Sequence, residues 1–149
     1  MLAIGSDHGG FELKKALLDV LNKQGIEVKD FGTYSCDSCD YPAIAGDVCR
    51  AILSGECDRG VLICGTGIGM SMAANRFSGI RAALCSEPYS AEMTRRHNDA
   101  NILVLGARVI GPGLAEKILD IYLNTPFDGG RHARRVTMLE QVTGSDENS

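Results

Sequence analysis

An α/β fold, a parallel sheet covered by helices on both sides, is predicted by two observations. Short apolar runs alternate with helix-like segments along the chain, and no linker or low-complexity stretch interrupts them. That is the pattern of successive strand–helix–strand units. One run, Val61–Cys64, is wholly apolar, as a strand is when helices cover both of its faces.

Leu2–Ser6 reads as the first strand. Phe11–Lys23 follows as a helix, because Phe11, Leu13, Leu17, Leu18 and Leu21 fall on one helical face. Gly25 ends that helix, and Ile26–Phe31 makes the second strand. Ala43–Leu53 is the second helix, stopped near Gly55. After the third strand, Val61–Cys64, a helix starts at about Ser71 and leads to a fourth strand, Ile80–Cys85. Ser86-Glu-Pro-Tyr opens a helix that runs through Ala91–His97. Asn101–Leu105 is the fifth strand, Leu114–Leu123 a further helix, and Arg131–Val142 an extra C-terminal helix after the Gly129-Gly130 break. Residues 1–143 form one domain, and the small polar residues 144–149 are expected to fray.

Composition narrows the function. The 149 residues suit a single domain with a substantial core, and 44% hydrophobic with 23% charged residues is ordinary for a globular protein. A net charge of −4 gives no general attraction for nucleic acid or an anionic membrane. Trp is absent and no aromatics interleave with the basic residues, which argues further against nucleic acid. No segment approaches the ~20 consecutive apolar residues of a bilayer span. The start, MLAIGSDHGG, lacks the basic and apolar parts of a signal peptide, so a cytoplasmic location is expected.

Six cysteines are scattered along the chain, and Cys49, Cys57, Cys64 and Cys85 lie in or beside regular elements. Reduced thiols are expected. Cys36 and Cys39 form a CxxC in a loop rich in Ser and Asp. A zinc half-site would need two further ligands, and a redox pair would open a helix. No metal is expected.

The most informative stretch is Val61–Asn75, VLICGTGIGMSMAAN. Cys64 ends a buried strand, and Gly65, Gly67 and Gly69 let the backbone turn tightly with N–H groups pointing outward at a helix start. Such a turn suits an anion or a developing oxyanion, and its partial positive charge favours the thiolate form of a neighbouring thiol. Taken alone, a cysteine at an apolar strand end is a small core residue; the adjoining turn points instead to a functional thiol. Thr66 either donates to a substrate oxygen or caps the helix. The dinucleotide fingerprint is GxGxxG after the first strand. Here the spacing is GxGxG after the third, and GxxxxGK[ST] is absent.

In parallel sheets ligands bind beyond the C-terminal strand ends. That rule groups Asp7 and His8 with Cys64–Gly69 and Ser86–Tyr89. His97 closes a helix, where it either meets the helix dipole or works as an acid–base group. Arg108 follows the fifth strand, and Arg131, Arg134 and Arg135 cluster in GGRHARRV. Arg131 and Arg135, four apart, share a helix face, either as a solvated basic face or as a phosphate clamp.

Together these residues make the chain resemble the ribose-5-phosphate isomerase B family, within the ribose/galactose isomerase group. The resemblance runs from Met1 to about Val142. It rests on GSDHGGFELK, on DYP at Asp40–Pro42, on LICGTGIGMSMAAN, on GIRAALCSEPYSAEMTRRHNDANIL and on GGRHARRV, all in order. It implies a Rossmann-like three-layer αβα sandwich with a five-stranded parallel sheet. It also implies interconversion of D-ribose 5-phosphate and D-ribulose 5-phosphate without metal or nucleotide. Cys64 is then the base that moves a proton through a cis-enediolate, and Gly65, Gly67, Ile68 and Gly69 hold the oxyanion. Thr66 assists, and His97 donates the proton that opens the sugar ring, with Asp7 nearby. His8, Tyr41, Ser71, Asn98, Arg108, Arg131 and Arg135 match substrate-binding positions, the arginines chiefly on phosphate. The resemblance further implies a homodimer that completes each site across its interface, and leaves a dimer of dimers open. A six-carbon sugar-phosphate isomerase, on allose or galactose 6-phosphate, and a non-catalytic sugar-phosphate-binding module are the alternatives. The CxxC falls outside the family pattern.

Overall fold

The computed structural model describes residues 1–143; the tail expected to fray, residues 144–149, lies outside the described residues. Five strands, β1 (Leu2–Ser6), β2 (Val28–Asp30), β3 (Arg59–Cys64), β4 (Ala82–Leu84) and β5 (Ile102–Gly106), form one sheet in the order β2-β1-β3-β5-β4. Every pairing is parallel. The central pairs run from Leu2 opposite Arg59 to Ser6 opposite Ile63, and from Gly60 opposite Ile102 to Cys64 opposite Gly106. The α/β expectation therefore holds, and all five strands end at one edge.

Among the described residues, six α-helices complete the sandwich: α1 (Phe11–Lys23), α2 (Tyr41–Leu53), α3 (Ile68–Ala74), α4 (Pro88–Asn98), α5 (Pro112–Asn124) and α6 (Arg131–Gln141). Side chains of a strand alternate between faces, and the three central strands are apolar on both. Leu2, Ile4, Val61, Ile63, Leu103 and Leu105 face one layer, with Leu13, Leu17 and Leu21 of α1, Ala91 of α4, and Ile118, Leu119 and Tyr122 of α5. Ala3, Leu62, Cys64, Ile102 and Val104 face the other, with Ile44, Val48 and Cys49 of α2 and Met70 and Ala74 of α3. The sixth helix packs beside α4 and buries none of its residues.

Boundaries shift where local chemistry overrides periodicity. The second helix begins at Tyr41 because Pro42 suits a first turn. The third starts at Ile68, three residues ahead of the expected Ser71. Gly67, in the left-handed region at φ 81°, ends the strand-to-helix turn there. The fourth strand shrinks to Ala82–Leu84, paired on one side only, by β5. Among the described residues, no helix is long and apolar enough to cross a membrane.

Leu103 is fully buried in the central strand β5. Leu103→Ala is expected to cost about 3 kcal/mol and to lower Tm by roughly 6–12 °C in a thermal melt. A shift below about 2 °C would show that this core is not close-packed.

Candidate active site at the strand ends

Three loops converge where β1, β3 and β5 end. Asp7 follows β1, is nearly buried, and donates its N–H to the Ile63 carbonyl at 3.1 Å. Its carboxylate accepts the Gly10 N–H at 3.1 Å, so it caps the single 3-10 turn His8–Gly10 that leads into α1. A side chain on Gly9 would meet Asp7 Oδ1 at 3.3 Å and Gly65 N at 3.4 Å. The β1 and β3 loops therefore touch. The β5 loop joins them, because Ala107 N–H donates to Cys64 O and Arg108 N–H to Gly65 O, both at 2.9 Å.

Cys64 is buried, and its Sγ accepts the Gly67 N–H at 3.1 Å. A donor aimed at sulfur at the start of a helix stabilises negative charge there. The geometry requires glycines. Gly67 has positive φ, and a side chain on it would collide with Leu84 and the Leu105 backbone. A Cβ on Gly106 would lie 2.5 Å from Thr66 O. Burial pushes the thiols of Cys49 and Cys85 up to about 11, so they stay protonated core residues at neutral pH.

The remaining expected residues on this edge take specific places. Thr66 Oγ1 accepts the Ile68 N–H at 3.2 Å, so its oxygen serves the helix start while its O–H proton stays available. Ser71 donates its hydroxyl to Ile68 O at 2.8 Å. The Tyr41 ring lies against Gly69, where an added Cβ would be 2.7 Å from Tyr41 Cζ. Arg108 passes over Gly65, with Cδ 3.6 Å from where a Cβ would stand. His8 Nδ1 accepts the Cys39 N–H at 3.3 Å, which leaves the ring proton on Nε2 as a donor.

The other expected residues lie elsewhere in the chain. His97 and Asn98 end α4, which starts beyond β4 and runs back along the sheet. The Asn98 carbonyl accepts from Arg81 Nε at 3.1 Å, and Arg81 N–H donates to Asn101 Oδ1 at 2.7 Å. That places His97 and Asn98 at the strand starts. Cys64 pairs with Gly106 at the far end of β5, four rises of ~3.3 Å or about 13 Å away. Within one chain, Asp7 and His97 are not neighbours.

His97 instead stacks on His132, with ring centroids 4.2 Å apart and planes 8° from parallel. A depression of about 300 Å³ there is lined by His97, Asn98, His132, Arg135, Val136 and Leu139. His97, Asp128 and His132 could offer ligand atoms within 4.8 Å of one another. However, Asp128 is paired with Arg96 at 3.2 Å, and Arg131 and Arg135 add positive charge. The setting favours an anion over a cation.

The Ribose/Galactose Isomerase family profile matches residues 2–139. The chain belongs to that family. Ribose-5-phosphate isomerase B of Escherichia coli (strain K12) is 51% identical over 141 residues, 95% of each chain. The solved structure of Clostridium thermocellum ribose-5-phosphate isomerase B superposes with a TM-score of 0.94 at 53% identity, covering 99% of both chains. That of the Thermotoga maritima enzyme gives 0.93 at 56%, covering 94% of this chain and 97% of the other. A D-erythrulose-4-phosphate isomerase of Pectobacterium atrosepticum is 44% identical over 142 residues, 93% of this chain and 91% of its own. This member of the ribose/galactose isomerase family is an isomerase with their αβα fold.

Two features of the site escape sequence reasoning. His132 follows Arg131 in GGRHARRV, but its stack on His97 depends on α4 and α6 meeting. The Cys39 N–H on His8 joins positions 31 residues apart and leaves no mark in spacing. His132 is held below the ordinary imidazole value, first by burial and then by the charges of His97 and Arg131. In a proton-NMR titration its midpoint is expected below about 6.5, and to move upward in the His97→Asn variant. A midpoint at or above the ordinary value would contradict the stacked arrangement.

Proposed function

We propose that this isomerase interconverts D-ribose 5-phosphate and D-ribulose 5-phosphate through a cis-enediolate, as a cytoplasmic homodimer with shared sites. The observation that carries this reading is Cys64 Sγ set in the glycine turn with the Gly67 N–H on it at 3.1 Å, beside Asp7 and Arg108. The names of the Escherichia coli, Clostridium and Thermotoga relatives support the substrate.

The closed sugar opens first. His97 of the partner subunit protonates the ring oxygen while Asp7 accepts the proton of the anomeric hydroxyl, which leaves the aldehyde. Cys64, as thiolate, then removes the C2 proton, and the electron pair moves to O1. The N–H groups of Gly65 and Gly69 hold that charge, joined by those of Gly67 and Ile68 as they turn from Cys64 Sγ and Thr66 Oγ1 to the substrate. Thr66 assists as a proton passes from O2 to O1, and the Cys64 thiol returns its proton to C1. The ketone forms and the thiolate is regenerated; Asp7 releases its proton to solvent and the partner's His97 takes one up, so atoms and charge balance. His8 through Nε2–H, Arg108, and the partner's Arg131 and Arg135 clamp the phosphate. Tyr41, Ser71 and the partner's Asn98 position the sugar.

The shared site is supported by the two half-sites lying at opposite sheet edges. Apolar surface flanks both. Met138, Leu139 and Val142 in and just after α6 are 50%, 55% and 66% exposed, and Ile68 and Met72 beside the turn are 48% and 63%. Patches of this kind mark interfaces.

A shorter substrate is the second reading, favoured by the D-erythrulose-4-phosphate isomerase relative. Turnover of four-, five- and six-carbon aldose phosphates separates these readings. The five-carbon sugar is expected to give the highest kcat/KM, and a preference for another length would overturn that substrate. Binding without turnover of any of the three would make the chain a binding module.

Cys64→Ala is expected to cut kcat by about 10²–10⁴-fold, the worth of a positioned base, with substrate binding retained in calorimetry. A variant within twofold of wild type would remove Cys64 from that role. Arg135→Ala should mainly raise KM. Mixing Cys64→Ala and His97→Asn proteins is expected to restore activity, because one of the two sites in each mixed dimer is intact. No recovery after demonstrated subunit exchange would rule out sharing.

A further inference from the structure

Cys36 and Cys39 occupy the loop between β2 and α2, which crosses the strand-end edge ahead of Tyr41. The first part of the loop is pinned. Thr33 N–H donates to Ser6 O at 2.6 Å and Ser6 N–H to Gly32 O at 2.7 Å. Buried Lys14 reaches Asp30 at 2.7 Å and also donates to the Thr33 carbonyl. The second part is held lightly. Residues 34–38 are exposed; apart from the Cys36 thiol, their polar contacts are local, with Asp37 N–H donating to Ser35 Oγ at 3.3 Å. Cys36 is exposed, its thiol 3.7 Å from Glu12 Oε1, and Cys39 is half-buried against the α2–α3 core layer. Both thiols are free.

The Cys39 N–H is the pivot. It donates to His8 Nδ1 at 3.3 Å and so fixes the tautomer that presents Nε2–H. A disulfide between cysteines three apart needs their Cα atoms within about 7 Å, the span of a β-turn over residues 36–39. A closed turn of that kind directs the Cys39 N–H back to the Cys36 carbonyl. The two arrangements compete for one donor.

We propose that Cys36 and Cys39 are a thiol–disulfide exchange site for low-molecular-weight disulfides, and that oxidation there weakens substrate binding by withdrawing the Cys39 N–H from His8. The Cys36 thiolate attacks one sulfur of the small disulfide and expels one thiol. The Cys39 thiolate then attacks the Cys36 sulfur of the mixed disulfide and expels the second. Two protein thiols are oxidised by two electrons, one small disulfide is reduced to two thiols, and the protons move to the departing sulfurs. Released from Cys39, His8 loses its fixed tautomer, and Tyr41, two residues on, shifts against Gly69. Cys64 is buried and spared. The inference rests on the reading of His8 as a phosphate ligand.

The test is steady-state isomerisation of ribose 5-phosphate by wild-type and Cys36→Ser protein, before and after incubation with glutathione disulfide. Intact mass and peptide mapping locate the bond. Oxidised wild type is expected to carry a Cys36–Cys39 disulfide and a KM raised about tenfold, the size of one lost charge-assisted hydrogen bond. Its kcat should stay within about twofold, with full recovery in dithiothreitol. Cys36→Ser should match reduced wild type in both conditions. The inference is overturned if no such disulfide forms, if it forms with KM unchanged, or if Cys36→Ser is inhibited equally, which would place the inhibiting oxidation outside a Cys36–Cys39 bond. Failure of the reduced wild-type enzyme to isomerise ribose 5-phosphate would instead overturn the underlying functional reading.

Discussion

Everything in this molecule depends on β3 being buried on both faces within a wholly parallel sheet. A strand so placed is apolar and buried from Gly60 to Cys64, needs a helical layer on each side, and shares its direction with β1 and β5. Parallel direction makes all the strands end at one edge, so Asp7, Cys64 and Arg108, far apart in sequence, become neighbours. The glycine turn then has one solution. Gly67 in the left-handed region and Gly106 against the Thr66 carbonyl let the chain leave the sheet at Cys64 and begin α3 at once. The same departure delivers the Gly67 N–H to the sulfur.

Direction also divides the site. A helix that follows a parallel strand returns antiparallel to it, so α4 carries His97 about 13 Å back toward the strand starts. One chain therefore carries a thiol in an N–H cradle at one end of the sheet and a stacked histidine pair among arginines at the other. In the proposed homodimer a two-fold partner brings the two together.

Much of this was legible in the residues. The five strands and six helices of the described residues follow from apolar alternation and glycine punctuation, with errors confined to element ends: the helix starts at Pro42 and Gly67, and the two edge strands β2 and β4, which are shorter than their apolar runs. That Asp7, His8 and Cys64 lie together follows from the rule that ligands gather beyond strand ends, and Arg108 joins them through its place just after the fifth strand. His132 and the Cys39–His8 bond were not legible, because each depends on a pair of elements meeting. The CxxC was visible as a motif but had no partner until the loop was seen lying against His8.

By itself, then, the sequence determined the layered α/β architecture and the turn at Cys64–Gly69. Both depend on local periodicity and on backbone conformations that only glycine adopts without strain. Only the tertiary structure decided which polar groups become neighbours. The separation of His97 from Cys64, the stack on His132 and the donor shared between His8 and the Cys36–Cys39 loop are distances between remote residues. Those distances are set by strand order and helix direction, which no window of sequence contains.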